Sequence, residues 1–179
     1  IGYEALLSNT SGNNNVALGR SSLRGTFNAA TADYNVGVGY QAGYKYSSGG
    51  YNVFLGYNAG YSITTGSSNI AVGQSAMGAA YASTTGPGNI GVGGFSLHRV
   101  TSGFQNIAIG SETCRNLTTG TDNVVMGRNS GNALTTGINN VSIGSYSLTA
   151  NSTGGYNVAV GESAMKHATA ASNNVAIGY

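Results

Sequence analysis

The five-residue unit Asn-(Val/Ile)-x-(aliphatic)-Gly recurs ten times, with its asparagines at Asn15, Asn35, Asn52, Asn69, Asn89, Asn106, Asn123, Asn140, Asn157 and Asn174. The steps between them are 20, 17, 17, 20, 17, 17, 17, 17 and 17 residues. A fixed period marks a repeat architecture. Seventeen residues are too few for a helical pair, since helical repeats take about 33 to 47. Val/Ile strands punctuated by Gly turns suit one short β-coil per repeat. The expected fold is therefore all-β, a repetitive parallel β-roll or β-solenoid with 17-residue coils and two 20-residue coils. Strands stacked about 4.8 Å apart would make ten coils into a rod on the order of 50 Å long.

Residues 1–179 read as a single array of about ten coils. Ile1-Gly2 is the tail of a further unit, because Gly2 lies 17 residues before Gly19, and the chain ends inside a repeat at Gly178-Tyr179. The expectation is a fragment of a longer fibre. Charged residues are only 7% of the chain, against about 25% in ordinary domains. Low charge with many small polar residues accompanies disorder, but 40% hydrophobic residues at strict spacing exclude it. The seven Lys/Arg are scattered along the sequence and the net charge is +2. That pattern lacks the clustered basic run of a nucleic-acid binder. There is no run of 18 apolar residues to insert into a membrane, and a single Cys forms no intrachain disulfide.

Within each unit the strand alternates, so Val16 and Leu18 share one face, which is assigned to the coil's own core. A second apolar column follows four residues after the glycine: Leu6, Leu23, Met77, Leu97, Cys114, Leu148 and Met165, with Gly43, Gly60 and Gly131 in three coils. A small column precedes it, from Ala5 and Ser22 to Ala164. The asparagines either adopt left-handed backbone at a turn or stack their amides in a ladder from coil to coil.

The middle strand residues are Ala17, Gly37, Phe54, Ala71, Gly91, Ala108, Val125, Ser142, Ala159 and Ala176. Placed opposite the core face, they are uncharged and mostly tiny where water-facing residues should be polar. They are therefore expected to form an interface with sister chains. The backbone entropy of ordering a thin coil exceeds what its few buried aliphatic side chains return, which also argues for partners.

Catalysis finds little support. Glu112 and Asp122 form the only carboxylate pair about one coil apart, in different columns. His98 and His167 stand 69 residues apart without metal-ligand spacing, and Cys114 sits in an apolar column as a core hydrophobe. No catalytic residue, metal site or cofactor is expected. Seven of the twelve tyrosines fall between positions 34 and 61. Coil register places Tyr34 over Tyr51, Tyr40 over Tyr57 and Tyr44 over Tyr61, with Lys45 and Tyr46 beside them. Stacking or ligand contact both suit these rings. The two three-residue insertions, near Phe27 and Tyr81, fall in the same turn, and insertions in a solenoid map to one face, often the binding face. Tyr34, Tyr40, Tyr44, Lys45, Tyr46, Tyr51, Tyr57, Tyr61, Phe27 and Tyr81 are thus the candidate binding residues.

The Asn174–Gly178 unit, with a small residue three places later in earlier coils, resembles the YadA-like heads of trimeric autotransporter adhesins. The phrase Thr64-Thr65-Gly66-Ser67-Ser68-Asn69-Ile70-Ala71-Val72-Gly73 resembles repeat regions of phage tail fibres and bacterial tail-fibre-like proteins. The resemblance spans the whole chain. It implies a left-handed roll, a homotrimer about one axis, and extracellular attachment to a glycan or protein receptor from a virion tail fibre or a bacterial surface. The coils depart from the adhesin heads, whose coils are shorter. Two other classes compete. One is a monomeric ice-binding solenoid using the column Thr64, Thr84, Thr101, Thr118, Thr135 and Thr169; the other is a polysaccharide-degrading spike, which is short of acids.

Overall fold

The computed structural model of the chain describes residues 1–26, 30–79 and 83–179. Among them, three-residue strands occur at each repeat: β1 (Val16–Leu18), β2 (Val36–Val38), β3 (Val53–Leu55), β4 (Ile70–Val72), β5 (Ile90–Val92), β6 (Ile107–Ile109), β7 (Val124–Met126), β8 (Val141–Ile143), β9 (Val158–Val160) and β10 (Val175–Ile177). They form one parallel sheet in chain order, so the molecule is a β-solenoid. Equivalent residues pair from coil to coil, as Val36 does with Val53 and Val141 with Val158. The 20-residue coils keep this register, pairing Val16 with Val36 and Ile70 with Ile90. Beyond each insertion, the bridges Asn9–Ala30 and Ile63–Thr84 restore the stack.

The asparagine column is an amide ladder. Oδ1 of Asn106 accepts both the backbone N–H of Asn123 at 3.2 Å and its Nδ2 at 2.9 Å. Asn123 does the same for Asn140, and Asn140 for Asn157. The second amide hydrogen ties the strand to the Thr-Gly turn of the next coil: Asn106 Nδ2 donates to the Gly120 carbonyl at 2.8 Å, and Asn123 Nδ2 to Gly137 at 2.8 Å. The left-handed backbone falls one residue earlier, at Tyr34, Tyr51, Ser68, Asp122 and Tyr156, with φ between 58° and 60°. Of the two expectations for this column, the ladder holds for the asparagines and the turn belongs to their neighbours. The glycine closing each strand is fixed twice over. Gly39 has φ 131°, and a Cβ there would meet the Gly56 carbonyl oxygen at 2.5 Å.

The interior reverses the expected facing of the strands. Phe54, Ala71, Ala108, Val125, Ser142 and Ala159 are fully buried within their own coils, Gly37 and Gly91 are buried, and Ala17 is nearly so. Ala176 is partly exposed in the last coil. The sister-chain interface assigned to this column is therefore corrected: these side chains point into the solenoid. The Val/Ile residues beside them point outward.

The physical reason is the thinness of the coil. A Cβ on Gly37 would lie 2.7 Å from Ser22 Oγ and 2.8 Å from Leu23 Cγ on the facing wall. The small and second apolar columns supply that wall, and Ser22, Ala42, Ala59, Leu23, Met77, Leu97 and Leu148 are all fully buried. Size is traded across the gap. Phe54 fits because Gly43 and Gly60 flank it, and a methyl on Gly60 would sit 2.2 Å from its ring. A further interior column, Tyr46, Ile63, Val100, Leu117 and Leu134, completes the core.

Replacing Asn106 with Ala removes the acceptor for two buried donors of Asn123. The expected loss is about 2–4 kcal/mol, the usual penalty for leaving buried donors unpaired. A urea denaturation midpoint unchanged from the parent would show that the ladder does not hold the coils together.

Candidate functional site

Two outward features distinguish this solenoid from a plain stack: an aliphatic strip on the strand face and an aromatic wall beyond it. The strip consists of the two residues that flank the middle position in every strand, from Val16 and Leu18 to Val175 and Ile177. In mid-array Ile109 and Met126 are 37% exposed and Ile143 is 40% exposed. All twenty positions are aliphatic or Met, with no charge among them. The sequence pattern could have shown this facing. Glycines in the second column bracket Phe54, as steric exchange requires only if both columns share one interior.

The tyrosine register expected from sequence is present in all three pairs. Tyr34 and Tyr51 stack with ring centroids 4.9 Å apart and planes 12° from parallel. Tyr40 and Tyr57 stack at 5.4 Å and 10°, and Tyr44 and Tyr61 at 4.9 Å and 9°. Stacking covers ring faces, so these pairs present edges and hydroxyls to solvent. Cations extend the stacks. Arg20 Cζ lies 5.7 Å from the Tyr3 ring and 5.9 Å from Tyr40, Arg24 Cζ lies 5.3 Å from Tyr44, and Lys45 Nζ lies 5.5 Å from Tyr61. Such contacts stabilise by about 0.5–1 kcal/mol at exposed sites.

Tyr46 departs from its assignment as a binding residue. It lies in the core, 1% exposed, and its buried hydroxyl has no hydrogen-bond partner among the described residues. Burial pushes its phenol up to about 12. The Tyr61 phenol is also raised, first by desolvation and then by Tyr44 and Tyr40, with Arg24 opposing. Both therefore remain protonated donors at neutral pH. Phe27 and Tyr81 lie outside the described residues.

The remaining titratable groups are engaged or apart. Glu4 accepts from Arg24 Nε at 3.2 Å and from Ser21 Oγ at 3.1 Å. Glu112 meets Arg115 at 3.6 Å. Glu112 follows β6 while Asp122 precedes β7, which puts them on opposite sides of the strand face. His98 is half-buried, its Nδ1 3.0 Å from the Ser75 carbonyl and its ring edge-on to Phe95; His167 is exposed. Among the described residues no three His, Cys, Asp or Glu side chains are grouped to hold a metal, and no helix is long and apolar enough to cross a membrane.

Cys114 is buried in the core, and burial pushes its thiol far above the ordinary range. The threonine column is built into the wall: the hydroxyls of Thr101, Thr118 and Thr135 donate to the carbonyls of Thr118, Thr135 and Ser152 in the next coil. Compared with known proteins, the chain matches no family model, no curated protein and no solved structure.

Two measurements check this arrangement. Native protein should leave Cys114 unlabelled by a maleimide reagent that modifies it fully in guanidinium; rapid native labelling would contradict its burial. Replacing Tyr40 and Tyr57 together by Ser should lower stability by about 1 kcal/mol, the worth of one stacked pair, seen as a lower melting temperature. The corresponding Phe pair should melt like the parent, because the rings and not the hydroxyls make the stack.

Proposed function

We propose that this chain is a structural segment of an extracellular attachment fibre, a phage tail fibre or bacterial surface adhesin, in which three left-handed copies pack about one axis. The observation that carries this reading is the aliphatic strip. Ten strands spaced about 4.8 Å apart, with outward positions about 7 Å apart on each, give an apolar band on the order of 50 Å long and 10 Å wide. Contiguous apolar surface on that scale marks an interaction site.

Sister copies are the occupant that suits it. The strip repeats its ridges at the coil spacing, so a parallel copy brings the same ridges at the same period. It carries no charge to orient an unlike partner. The repeat's resemblance to trimeric adhesin heads and to repeat regions of tail fibres favours three. The interface thus lies on the Val/Ile columns and not on the middle column first assigned to it. Sharing the strips also supplies burial that one thin coil lacks.

The fibre's role is mechanical and multivalent. A rod of stacked coils displays its turns at fixed spacing, and three copies of each turn raise avidity without new contacts. The receptor-facing element is the aromatic wall around Tyr40 and Tyr57. No chemical step is assigned to the chain.

Two variants separate assembly from folding. Ile107→Glu with Ile109→Glu places charges on the strip, where burying them between chains is unfavourable. Light scattering should report monomers, with β-structure retained in circular dichroism. Ala108→Glu, which forces a charge into the coil interior, should instead unfold the surrounding coils. A double variant that remains trimeric and equally heat-stable would overturn the interface. Parent protein that is monomeric at micromolar concentration would overturn the trimer itself.

A further inference from the structure

The cations look scattered along the sequence, but folding gathers them. Arg20, Arg24, Lys45, Arg99, Arg115, Arg128 and Lys166 all fall five, nine or ten residues after the ladder asparagine of their coil. His98 and His167 occupy the same positions. Side-chain contacts knit these columns into one wall. Arg115 Cζ lies 5.4 Å from the Phe95 ring of the preceding coil. Arg128 and Lys166, from coils on either side of Tyr146, lie 4.9 and 5.5 Å from its ring. The acids on this wall are Glu4, Glu112 and Glu162, while Asp33 and Asp122 lie just before the strands, on its other side. The wall therefore carries four net positive charges, and the remainder of the chain two net negative ones.

From this we infer that the wall binds a linear acidic polysaccharide running along the fibre axis. The inference rests on reading the chain as an attachment fibre and gives that fibre a ligand class. Arg20 and Lys166 lie eight coils apart, on the order of 40 Å at the strand spacing, so one extended polymer spans all seven cations. Between them the wall offers hydrogen-bonding groups suited to sugar hydroxyls, including the exposed edges of Tyr40 and Tyr57 and the side chain of Gln74.

A nucleic acid fits less well. Single-stranded nucleic acids use open aromatic faces as stacking platforms, and here the rings of Tyr40, Tyr57, Tyr44 and Tyr61 stack on one another. Duplex DNA presents a phosphate charge about every 1.7 Å, far denser than cations spaced over many coils with carboxylates among them. An acidic glycan carries its charges more sparsely and displays hydroxyls between them.

The test uses the assembled fibre segment and immobilised polygalacturonate, with neutral dextran and an oligothymidylate as comparison surfaces. Binding to polygalacturonate alone, weakening as salt screens the charges, is the expected result. Arg99→Gln, Arg128→Gln and Lys166→Gln combined should weaken it about tenfold, three exposed charge contacts being lost. Asp33→Asn with Asp122→Asn, on the other side of the strand, should bind like the parent. Gln74→Arg, which adds a cation at an equivalent exposed position, should tighten binding and serves if the triple variant fails to assemble. Equal or tighter binding to the oligonucleotide would assign the wall to nucleic acid and overturn the proposal. So would binding that neither set of cation variants alters. A segment that attaches to cells yet ignores polygalacturonate sinks this inference and leaves the attachment reading standing. One that binds polygalacturonate through these cations but attaches to no cell supports the wall's chemistry and sinks the fibre's role.

Discussion

The structure depends on the hydrogen bond from each ladder asparagine to the next. A three-residue strand is too short to fix its own register, and a 17-residue coil encloses too little apolar volume to stand alone. The Asn side chain meets both needs. Its carbonyl oxygen receives the backbone N–H and amide of the following asparagine, and its own amide reaches the next coil's Gly turn. Three elements of two coils are thereby locked in one geometry. The ladder also tolerates length changes, since Asn35 N–H still reaches Asn15 Oδ1 at 2.8 Å across a 20-residue coil. Asn69, whose coil carries the second insertion, is the ladder member with a buried amide nitrogen lacking a partner among the described residues.

Close stacking dictates the rest of the architecture. Left-handed backbone at Leu23, Met77, Leu97 and Cys114 is unfavourable for such side chains. It persists because each is buried against a wall that has no room to relax. That same lack of room favours Ala, Gly and Ser at the middle of the strand, fits Phe54 and Val125 only against Gly43, Gly60 and Gly131, and turns the flanking β-branched residues outward. An interior too thin to hold the strand aliphatics as well as the facing Leu/Met column thus produces the apolar exterior on which assembly is proposed to rest. Under that proposal, stability of the coil and association of copies are two consequences of one dimension.

The polar surface follows from the same periodicity. A residue placed once per coil recurs along the axis at strand spacing, so like residues stack. Tyrosines gain from this by covering each other's faces. Cations gain by alternating with rings, as Arg20 does between Tyr3 and Tyr40. Charges that are far apart in sequence then share a wall, which gives a charge-poor chain a directional electrostatic surface.

Much of the fold is legible in the sequence. The 17-residue step gave parallel strands, equivalent residues in register and the Tyr34–Tyr51, Tyr40–Tyr57 and Tyr44–Tyr61 stacks, because a repeat period fixes what lies above what. The buried placement of Leu23, Met77, Leu97 and Cys114 also followed from their column. Periodicity along the axis, however, says nothing about direction across it. Alternation in a strand identifies two faces without saying which one is inside, and the small middle column fits a tight interior as well as a tight interface. The glycines at 43 and 60 facing Phe54 are the one hint in the sequence, and the distance between the coil's opposing walls decides between them. That distance put Ala108 inside, Ile107 and Ile109 outside, Tyr46 in the core, and seven scattered cations on one wall, because position around a closed coil is a property of its cross-section and not of its sequence spacing.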